Sequence, residues 1–178
     1  MNRVKMIALS SILAALTLTI SPLWIAWGPS KAFPGQHFVN VLSGIILGPL
    51  GATIVATISG TLRIMLGTGT IFAYPGGIPG GIIVGLNYRI LRQVMSKRKA
   101  LIIASLTEPI GTVFIGGTLA YYTIDPFFSS RMHTQFATIL LLYYGWAISS
   151  VIGSVLGTIT ILALERTKVI KLVLGEEI

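Results

Sequence analysis

The 178-residue chain contains no cysteine, and it has few charges, with only five acidic residues. The lack of cysteine excludes disulfides, thiolate catalysis and cysteine-ligated metals. The sequence also lacks a Walker A motif, HExxH and GxSxG, which excludes ATP hydrolysis at a P-loop and argues against the common hydrolase chemistries. The only histidines are His37 and His133, and no acids accompany them in a pattern typical of a metal site. The sequence therefore predicts a protein that is not an enzyme and holds no metal or cofactor.

Apolar residues dominate what remains. They make up 53% of the chain, the mean hydropathy is +0.86, and charged residues account for 10%, against about 25% in soluble domains. Long uncharged runs predict a single-domain, all-α integral membrane protein. The net charge of +8 does not indicate nucleic-acid binding, because the basic residues flank apolar runs and do not form a polar face. The N-terminal run resembles a signal peptide, but no small-residue cleavage site follows it, so we expect a retained first span.

Six spans are predicted, at about residues 4–27, 37–48, 52–66, 76–93, 100–124 and 134–164. The region 37–66 is ambiguous, because it could form one kinked span or two short spans turning at Gly48-Pro49-Leu50-Gly51. Ten of the thirteen basic residues fall in three clusters: Arg3 and Lys5; Arg89, Arg92, Lys97, Arg98 and Lys99; Arg166, Lys168 and Lys171. Only two short spans place all three clusters in the cytoplasm, as the positive-inside rule requires. This predicts a compact six-helix bundle with both termini cytoplasmic.

Small residues recur at spacings that allow helices to approach closely. GxxxG pairs occur at Gly44–Gly48, Gly81–Gly85 and Gly153–Gly157, which favours a tightly packed bundle. The first span also carries Ser10–Ala14 and Ser11–Ala15. This pattern is typical either of packing within the bundle or of a docking face for another membrane subunit, and the sequence alone favours internal packing.

Two Gly- and Pro-rich segments interrupt the apolar pattern. We call residues 30–40 the first island and residues 67–77 the second island. Neither contains an acid, and both carry hydrogen-bonding and aromatic groups with a composition that lipid-exposed helices do not tolerate. The topology places both islands outside the cell. They could therefore build one binding site.

The islands supply most of the candidate ligand-binding residues. Gln36, His37 and Asn40 open the second span, and the spacing of His37 and Asn40 puts them on one helix face. Their neutral polar groups suit an uncharged heteroaromatic ligand; the alternative is interfacial capping. In the second island, Thr68, Thr70 and Tyr74 predict a pocket wall or lid; the alternative is an ordinary turn.

Two charged residues lie within predicted spans. Glu108 is the only acid in a span, and such a residue is a candidate for function. The alternative is a structural hydrogen bond or an ion pair, for which Arg63 is a candidate partner. Arg63 itself could extend towards the membrane surface or hold a polar group of a substrate.

Three strings resemble one protein family: GPSKAFPGQH at 28–37, LGTGTIFAYPG at 66–76 and EPIGT at 108–112. They are similar to the ThiW family, whose members resemble the substrate-binding S components of energy-coupling-factor (ECF) vitamin importers. The resemblance implies capture of a thiamine precursor, hydroxyethylthiazole, at the outer face of a prokaryotic cytoplasmic membrane. It also implies two kinds of partner, a transmembrane coupling subunit and two ATPase subunits.

The resemblance assigns roles to particular residues. Ligand contacts would come from His37, Asn40, Thr68 or Thr70, and Tyr74. Ser11 and Ala15 take the place of the Ala-xxx-Ala docking stripe that S components usually carry, and Tyr74-Pro-Gly-Gly replaces the more usual Phe-Pro-Gly-Ser. Two alternatives stay open: a structural or assembly subunit of a membrane complex, and a stand-alone channel or secondary transporter in which Glu108 couples to protons.

Overall fold

The computed structural model describes residues 3–27, 30–128 and 131–167, which are almost entirely helical. The elements are α1 (Arg3–Ile20), β1 (Ile25–Trp27), β2 (Ser30–Ala32), α2 (Pro34–Met65), α3 (Ile78–Val94), α4 (Lys97–Phe128), α5 (Arg131–Gln135) and α6 (Ile139–Arg166). Within these ranges, four helices are long and apolar enough to cross a membrane, namely α1, α2, α4 and α6. The prediction of a predominantly helical, multi-pass membrane protein is confirmed. Lys168 and Lys171 of the third basic cluster lie outside the described residues.

Helix α2 folds back on itself at Gly48. This residue has φ 74° and ψ −175°, a conformation essentially restricted to glycine, and Pro49 follows it. The Arg63 guanidinium donates a hydrogen bond to the Gln36 side chain, 27 residues earlier. Along a straight helix those residues would be about 40 Å apart. The two arms, 34–47 and 49–65, therefore lie antiparallel; how many times they cross the membrane stays a prediction.

Helix α3 packs against both arms of α2, because glycines let the backbones meet. A Cβ atom on Gly44 of the first arm would lie 2.8 Å from the Val84 Cβ of α3, and one on Gly81 of α3 would lie 2.9 Å from the Ala52 Cβ of the second arm. On the other side of the first arm, a Cβ on Gly153 of α6 would lie 2.4 Å from the Pro34 carbonyl oxygen. The predicted close contact between helices is confirmed at Gly81–Gly85 and Gly153–Gly157, whereas Gly48 of the third pair lies in the turn of α2.

The first predicted span is too long at its C-terminal end. Helix α1 stops at Ile20, because Pro22 lacks an N–H and restricts the conformation of Ser21. The chain then forms a short antiparallel hairpin of β1 and β2, in which Ile25 pairs with Ala32. Residues 25–27, assigned from sequence to the first span, therefore belong to a hairpin that leads into the first island.

The last predicted span begins too early. Residues of the short helix α5 occupy its predicted start, and α6 begins only after Thr138, whose hydroxyl oxygen accepts a hydrogen bond from the Leu141 N–H. That contact is a helix N-cap, which satisfies one of the free N–H groups of the first turn.

Helix α1 has one buried face and one exposed face. Ser10, Leu13, Ala14 and Thr17 face the bundle, whereas Ser11 and Ala15 are exposed. Internal packing therefore describes the Ser10–Ala14 pair alone. Docking of a partner at Ser11 and Ala15 stays a prediction.

The described basic clusters gather at the end of the bundle where α2 reverses. The Arg89 side chain packs beside Gly48, and α3 runs on from there into the basic start of α4. Ile20, at the end of α1, packs instead on Gly35 at the start of α2. Arg3 and Lys5 at the start of α1 therefore lie at the same end as Arg89, and both islands lie at the opposite end.

Candidate ligand-binding cavity

A cavity of about 640 Å³ opens at the island end of the bundle. Its volume falls in the range of about 300–1,000 Å³ that small-molecule sites occupy. The first island contributes Lys31, Ala32, Phe33, Gln36 and His37, and the second contributes Gly67, Thr68, Gly69, Thr70, Phe72, Ala73 and Gly76. Helix α6 supplies a third wall with Gly145, Trp146 and Ser149. The two islands therefore meet over one cavity.

Gln36 and Arg63 join the two islands. The Gln36 Nε2 donates to the Ala73 carbonyl oxygen at 3.2 Å, and its Oε1 accepts from Arg63 Nη1. Arg63 Nη2 also donates to the Thr68 carbonyl oxygen at 3.3 Å, and the guanidinium stacks over the Phe33 ring, 4.6 Å from its centroid. Arg63 is only 3% exposed, and its Nε has no hydrogen-bond partner among the described residues. The guanidinium thus retains donors that are not used within this part of the chain.

The second island forms a compact wall because of its backbone geometry. Gly67 adopts φ 71° and ends α2, and the Thr68 hydroxyl donates back to the Arg63 carbonyl oxygen at 3.3 Å. A 3₁₀ turn over Ile71–Ala73 follows. Thr68 and Thr70 both line the cavity.

Tyr74 lies behind this wall and not in the cavity lining. Its hydroxyl is 3.0 Å from the Thr61 hydroxyl oxygen, and its ring packs over Gly60. The position of Tyr74 therefore does not agree with the prediction that it contacts a ligand directly. It ties the second island to the second arm of α2.

Glu108 is the centre of a buried polar network. Its Oε1 is 3.0 Å from His37 Nδ1, and it accepts from Asn40 Nδ2 at 2.8 Å and from the Thr112 hydroxyl at 2.6 Å. Its Oε2 accepts from the Ser150 hydroxyl. The side chain is fully buried and links α2, α4 and α6.

The network rules out one of the alternatives left open for Glu108. Arg63 is not its partner, since the guanidinium is engaged with Gln36 and Thr68, so the suggested ion pair is wrong. Neither Glu108 nor Asn40 lines the cavity. His37 lies between the network and the cavity, because it lines the cavity while its Nδ1 contacts Glu108.

The backbone around Glu108 allows helices to come this close. Pro109 follows it, and α4 adopts π-helical winding over Ile110–Gly116, in keeping with the loss of an N–H donor at proline. Gly80 of α3 packs directly on the network, where a Cβ would lie 2.3 Å from Glu108 Oε1. A larger side chain at position 80 would therefore displace the side chains of the network.

Sequence reasoning missed the α6 wall and the contribution of α5. Trp146 and Ser149 are not among the residues that the sequence predicts for the site, although Gly145 and Ser149 share one helix face with Gly153. That shared face was the available signal. Met132 and Gln135 of α5 also line the cavity, and no sequence pattern indicated them.

The cavity is aromatic and formally positive. Among the described lining residues, the only formally charged ones are Lys31 and Arg63, and none is a carboxylate. The Lys31 ammonium lies 4.3 Å from the centroid of the Trp24 ring. Such a site suits a small flat molecule with polar groups and gives no counter-charge to a cation.

Comparison with known proteins gives one match. A family model described as thiamine-precursor transporter protein (ThiW) matches residues 7–167, a range that includes both islands, all the described cavity-lining residues and Glu108. No curated protein and no solved structure matches the chain significantly.

Proposed function

The chain belongs to the ThiW family of thiamine-precursor transporters, and we propose that it is the membrane-embedded substrate-binding subunit of an ATP-driven ECF importer that captures hydroxyethylthiazole from outside. The observation that carries this proposal is the closure of both islands over one cavity. A structural subunit would not require such a cavity. A proton-coupled transporter would place Glu108 in the substrate path, whereas Glu108 lies behind His37.

The distribution of charge supports an outward-facing cavity. The described basic clusters lie at the opposite end of the bundle, and the positive-inside rule assigns that end and both termini to the cytoplasm. A solute arriving from outside would then meet the two islands first. On this orientation, α2 contributes two short spans.

The walls of the cavity favour an uncharged thiazole over thiamine. Phe33, Phe72 and Trp146 provide apolar and aromatic surface for a flat ring. Thiamine carries a permanent positive charge on its thiazolium ring, and the lining has Lys31 and Arg63 with no described carboxylate to balance that charge. Hydroxyethylthiazole is neutral and avoids this repulsion.

The polar contacts are assigned by position. Five of the predicted site residues line the cavity and would contact the ligand directly, namely Gln36, His37, Arg63, Thr68 and Thr70. Asn40 and Glu108 would support His37 from behind, and Tyr74 would hold the second island in place.

Binding of hydroxyethylthiazole to purified protein tests the proposal. In isothermal titration calorimetry with detergent-solubilised protein, we expect hydroxyethylthiazole to bind at least about tenfold more tightly than thiamine, because burying an unbalanced cation costs more than about 1.4 kcal/mol. Arg63→Gln should weaken thiazole binding by about tenfold or more, because it removes a buried donor from the cavity wall. If hydroxyethylthiazole, thiamine and the free pyrimidine all fail to bind, the proposed function is wrong.

Arg92→Gln is the matched control for Arg63→Gln. Arg92 is an exposed arginine at the far end of α3, close to the Tyr88 ring and away from the cavity. The same loss of charge there should leave the dissociation constant unchanged within about twofold. Equal effects of the two substitutions would show that Arg63 acts through overall charge and not through contact.

Cysteine labelling tests the orientation, and the chain offers a cysteine-free background. Proteins with a single cysteine at position 70 or 98 are treated with a membrane-impermeant maleimide in intact and in permeabilised cells. We expect Thr70→Cys to be labelled from outside and Arg98→Cys only after permeabilisation, because the basic end is cytoplasmic. Labelling of Arg98→Cys from outside intact cells would show that the predicted orientation is wrong.

The proposed energising partners are those that the resemblance to ECF importers implies, since the chain itself has no Walker A motif. A transmembrane coupling subunit could dock on the exposed face of α1, where Ser11 and Ala15 form a small-residue pair one turn apart. Two ATPase subunits would then supply the energy for release to the cytoplasm.

A further inference from the structure

We propose that Glu108 is a positioning residue that holds the His37 imidazole with its proton on Nδ1, so that Nε2 accepts a hydrogen bond from a neutral hydroxyl group of the ligand. The inference rests on the proposed function, because it assigns one end of the ligand inside the same cavity. It goes further by stating which hydrogen-bonding group the substrate must carry.

Glu108 has no access to a ligand. Its side chain is 0% exposed, and its partners come from two neighbouring helices and its own: His37 and Asn40 from α2, Ser150 from α6 and Thr112 from α4. An effect of Glu108 on binding must therefore pass through a residue that touches both the network and the cavity. Among the described residues, His37 is the member of the network that lines the cavity.

The chemistry of the partners places the proton of His37. A carboxylate only accepts hydrogen bonds, the Asn40 Nδ2 only donates, and the hydroxyls of Thr112 and Ser150 are directed at the carboxylate oxygens. The 3.0 Å contact between His37 Nδ1 and Glu108 Oε1 therefore requires the hydrogen on Nδ1. In the neutral imidazole, Nε2 is then an acceptor, and the second partner of a histidine sets its tautomer in this way.

The free edge of His37 faces the cavity. Nε2 has no hydrogen-bond partner among the described residues, and it is not among their enclosed unpartnered atoms, so it is open to a ligand. A ligand that donates to Nε2 could be a hydroxyl or a protonated amine. Lys31 and Arg63 line the same cavity and disfavour a cation, which leaves a neutral O–H or N–H donor. Of these, the hydroxyl is the donor that hydroxyethylthiazole, the ligand of the proposed function, carries. An ether or another acceptor at this point would leave Nε2 unpaired.

Nitrogen-15 NMR of histidine-labelled protein tests the tautomer directly. The chain has two histidines, so His133→Asn leaves His37 as the only signal, and Asn can still donate to Asp125. At pH 7.5 we expect a protonated Nδ1 and an unprotonated Nε2. A proton on Nε2, with or without one on Nδ1, would overturn the inference. This measurement needs no ligand and no substitution at Glu108.

A pair of ligands tests the consequence for binding. We expect hydroxyethylthiazole to bind wild-type protein about tenfold or more tightly than its O-methyl ether, which cannot donate. Glu108→Gln should reduce this preference to within about threefold, because the carboxamide can also donate to Nδ1 and so permits the other tautomer. Thr112→Val and Ser150→Ala each remove a donor to Glu108 but leave the His37 contact, so both should keep the wild-type preference.

The outcomes separate this inference from the proposed function. Equal binding of the alcohol and the ether to wild type would overturn the role of His37 while leaving hydroxyethylthiazole as the substrate. A preference that persists in Glu108→Gln would overturn the positioning role of Glu108. If neither compound binds wild type, the proposed function fails and the ligand assignment fails with it. Should Glu108→Gln not fold, the NMR measurement on the His133→Asn protein still decides the tautomer.

Discussion

A Glu108→Leu variant is expected to unfold much more readily than the wild type, with a loss of about 2–6 kcal/mol in the free energy of unfolding. Among the described residues, Glu108 is the only acceptor for His37 Nδ1 and Asn40 Nδ2, and the substitution removes it. Thr112 and Ser150 can redirect their hydroxyls to backbone carbonyls of their own helices, so these two groups contribute less. Two buried unpaired donors, at about 1–3 kcal/mol each, account for the expected range.

Thermal unfolding in detergent or lipid nanodiscs measures this loss, and Glu165→Leu is its matched control. Glu165 is a half-buried glutamate near the other end of α6. The same substitution there should change stability by less than about 0.5 kcal/mol. Glu108→Gln should fall between the two, because its carbonyl oxygen still accepts. If the Glu108→Leu and Glu165→Leu proteins unfold at the same temperature, the network does not stabilise the fold.

The second large effect is expected for Gly85→Ala, at about 1–3 kcal/mol of destabilisation from overpacking. A methyl group at Gly85 would lie 2.5 Å from the nitrogen of Pro49, 2.8 Å from the carbonyl carbon of Gly48 and 2.9 Å from the Cα of Pro49. All three are backbone atoms of the turn that reverses α2. They cannot rotate away as a side chain would, so either α3 or the turn must shift.

Gly60→Ala makes the same chemical change in a helix where there is room. The nearest atoms to a Cβ at Gly60 are the Tyr74 ring carbons at 3.4 Å, an ordinary contact distance. There the better helix propensity of alanine should leave stability unchanged or raise it by up to about 1 kcal/mol. Comparison of the two melting temperatures isolates the close helix approach. A Gly85→Ala protein as stable as Gly60→Ala would contradict the observed α2–α3 packing.

Much of the fold was accessible from the sequence because membrane helices obey simple rules. Uncharged apolar runs predict helices, and the GxxxG spacing predicted close helix contacts such as those at Gly81 and Gly153. The interruption at Gly48 and Pro49 indicated a turn, since a positive φ is available to glycine and proline has no N–H. Helix ends were less accessible. Hydropathy alone suggests a longer α1, because apolar residues continue into the hairpin. The helix ends earlier because Pro22 interrupts it.

The sequence indicated most of the residues that form the site, but it did not show which of them line the cavity and which lie behind it. Gln36, His37, Arg63, Thr68 and Thr70 were all selected from the sequence, and all of them line the cavity. Their roles in binding stay predictions.

Periodicity could place His37 and Asn40 on one helix face, but it could not show that only His37 reaches the cavity. The alternative of an Arg63–Glu108 ion pair followed from charge alone and is wrong. The structure engages each charge with neutral polar groups.

The scarcity of charge and cysteine, the apolar runs and the two polar islands are properties of residue type and spacing. The sequence by itself therefore determined the membrane class, the candidate binding segments and the absence of familiar catalytic motifs. Which groups meet was decided only by the tertiary structure, because contacts such as His37–Glu108 and Gln36–Arg63 join helix positions 71 and 27 residues apart. Those contacts depend on how closely the glycine-lined helices pack, and the spacing of residues along the chain does not determine how close two helices lie. The fold brings the two islands together over one cavity and buries Glu108 behind His37.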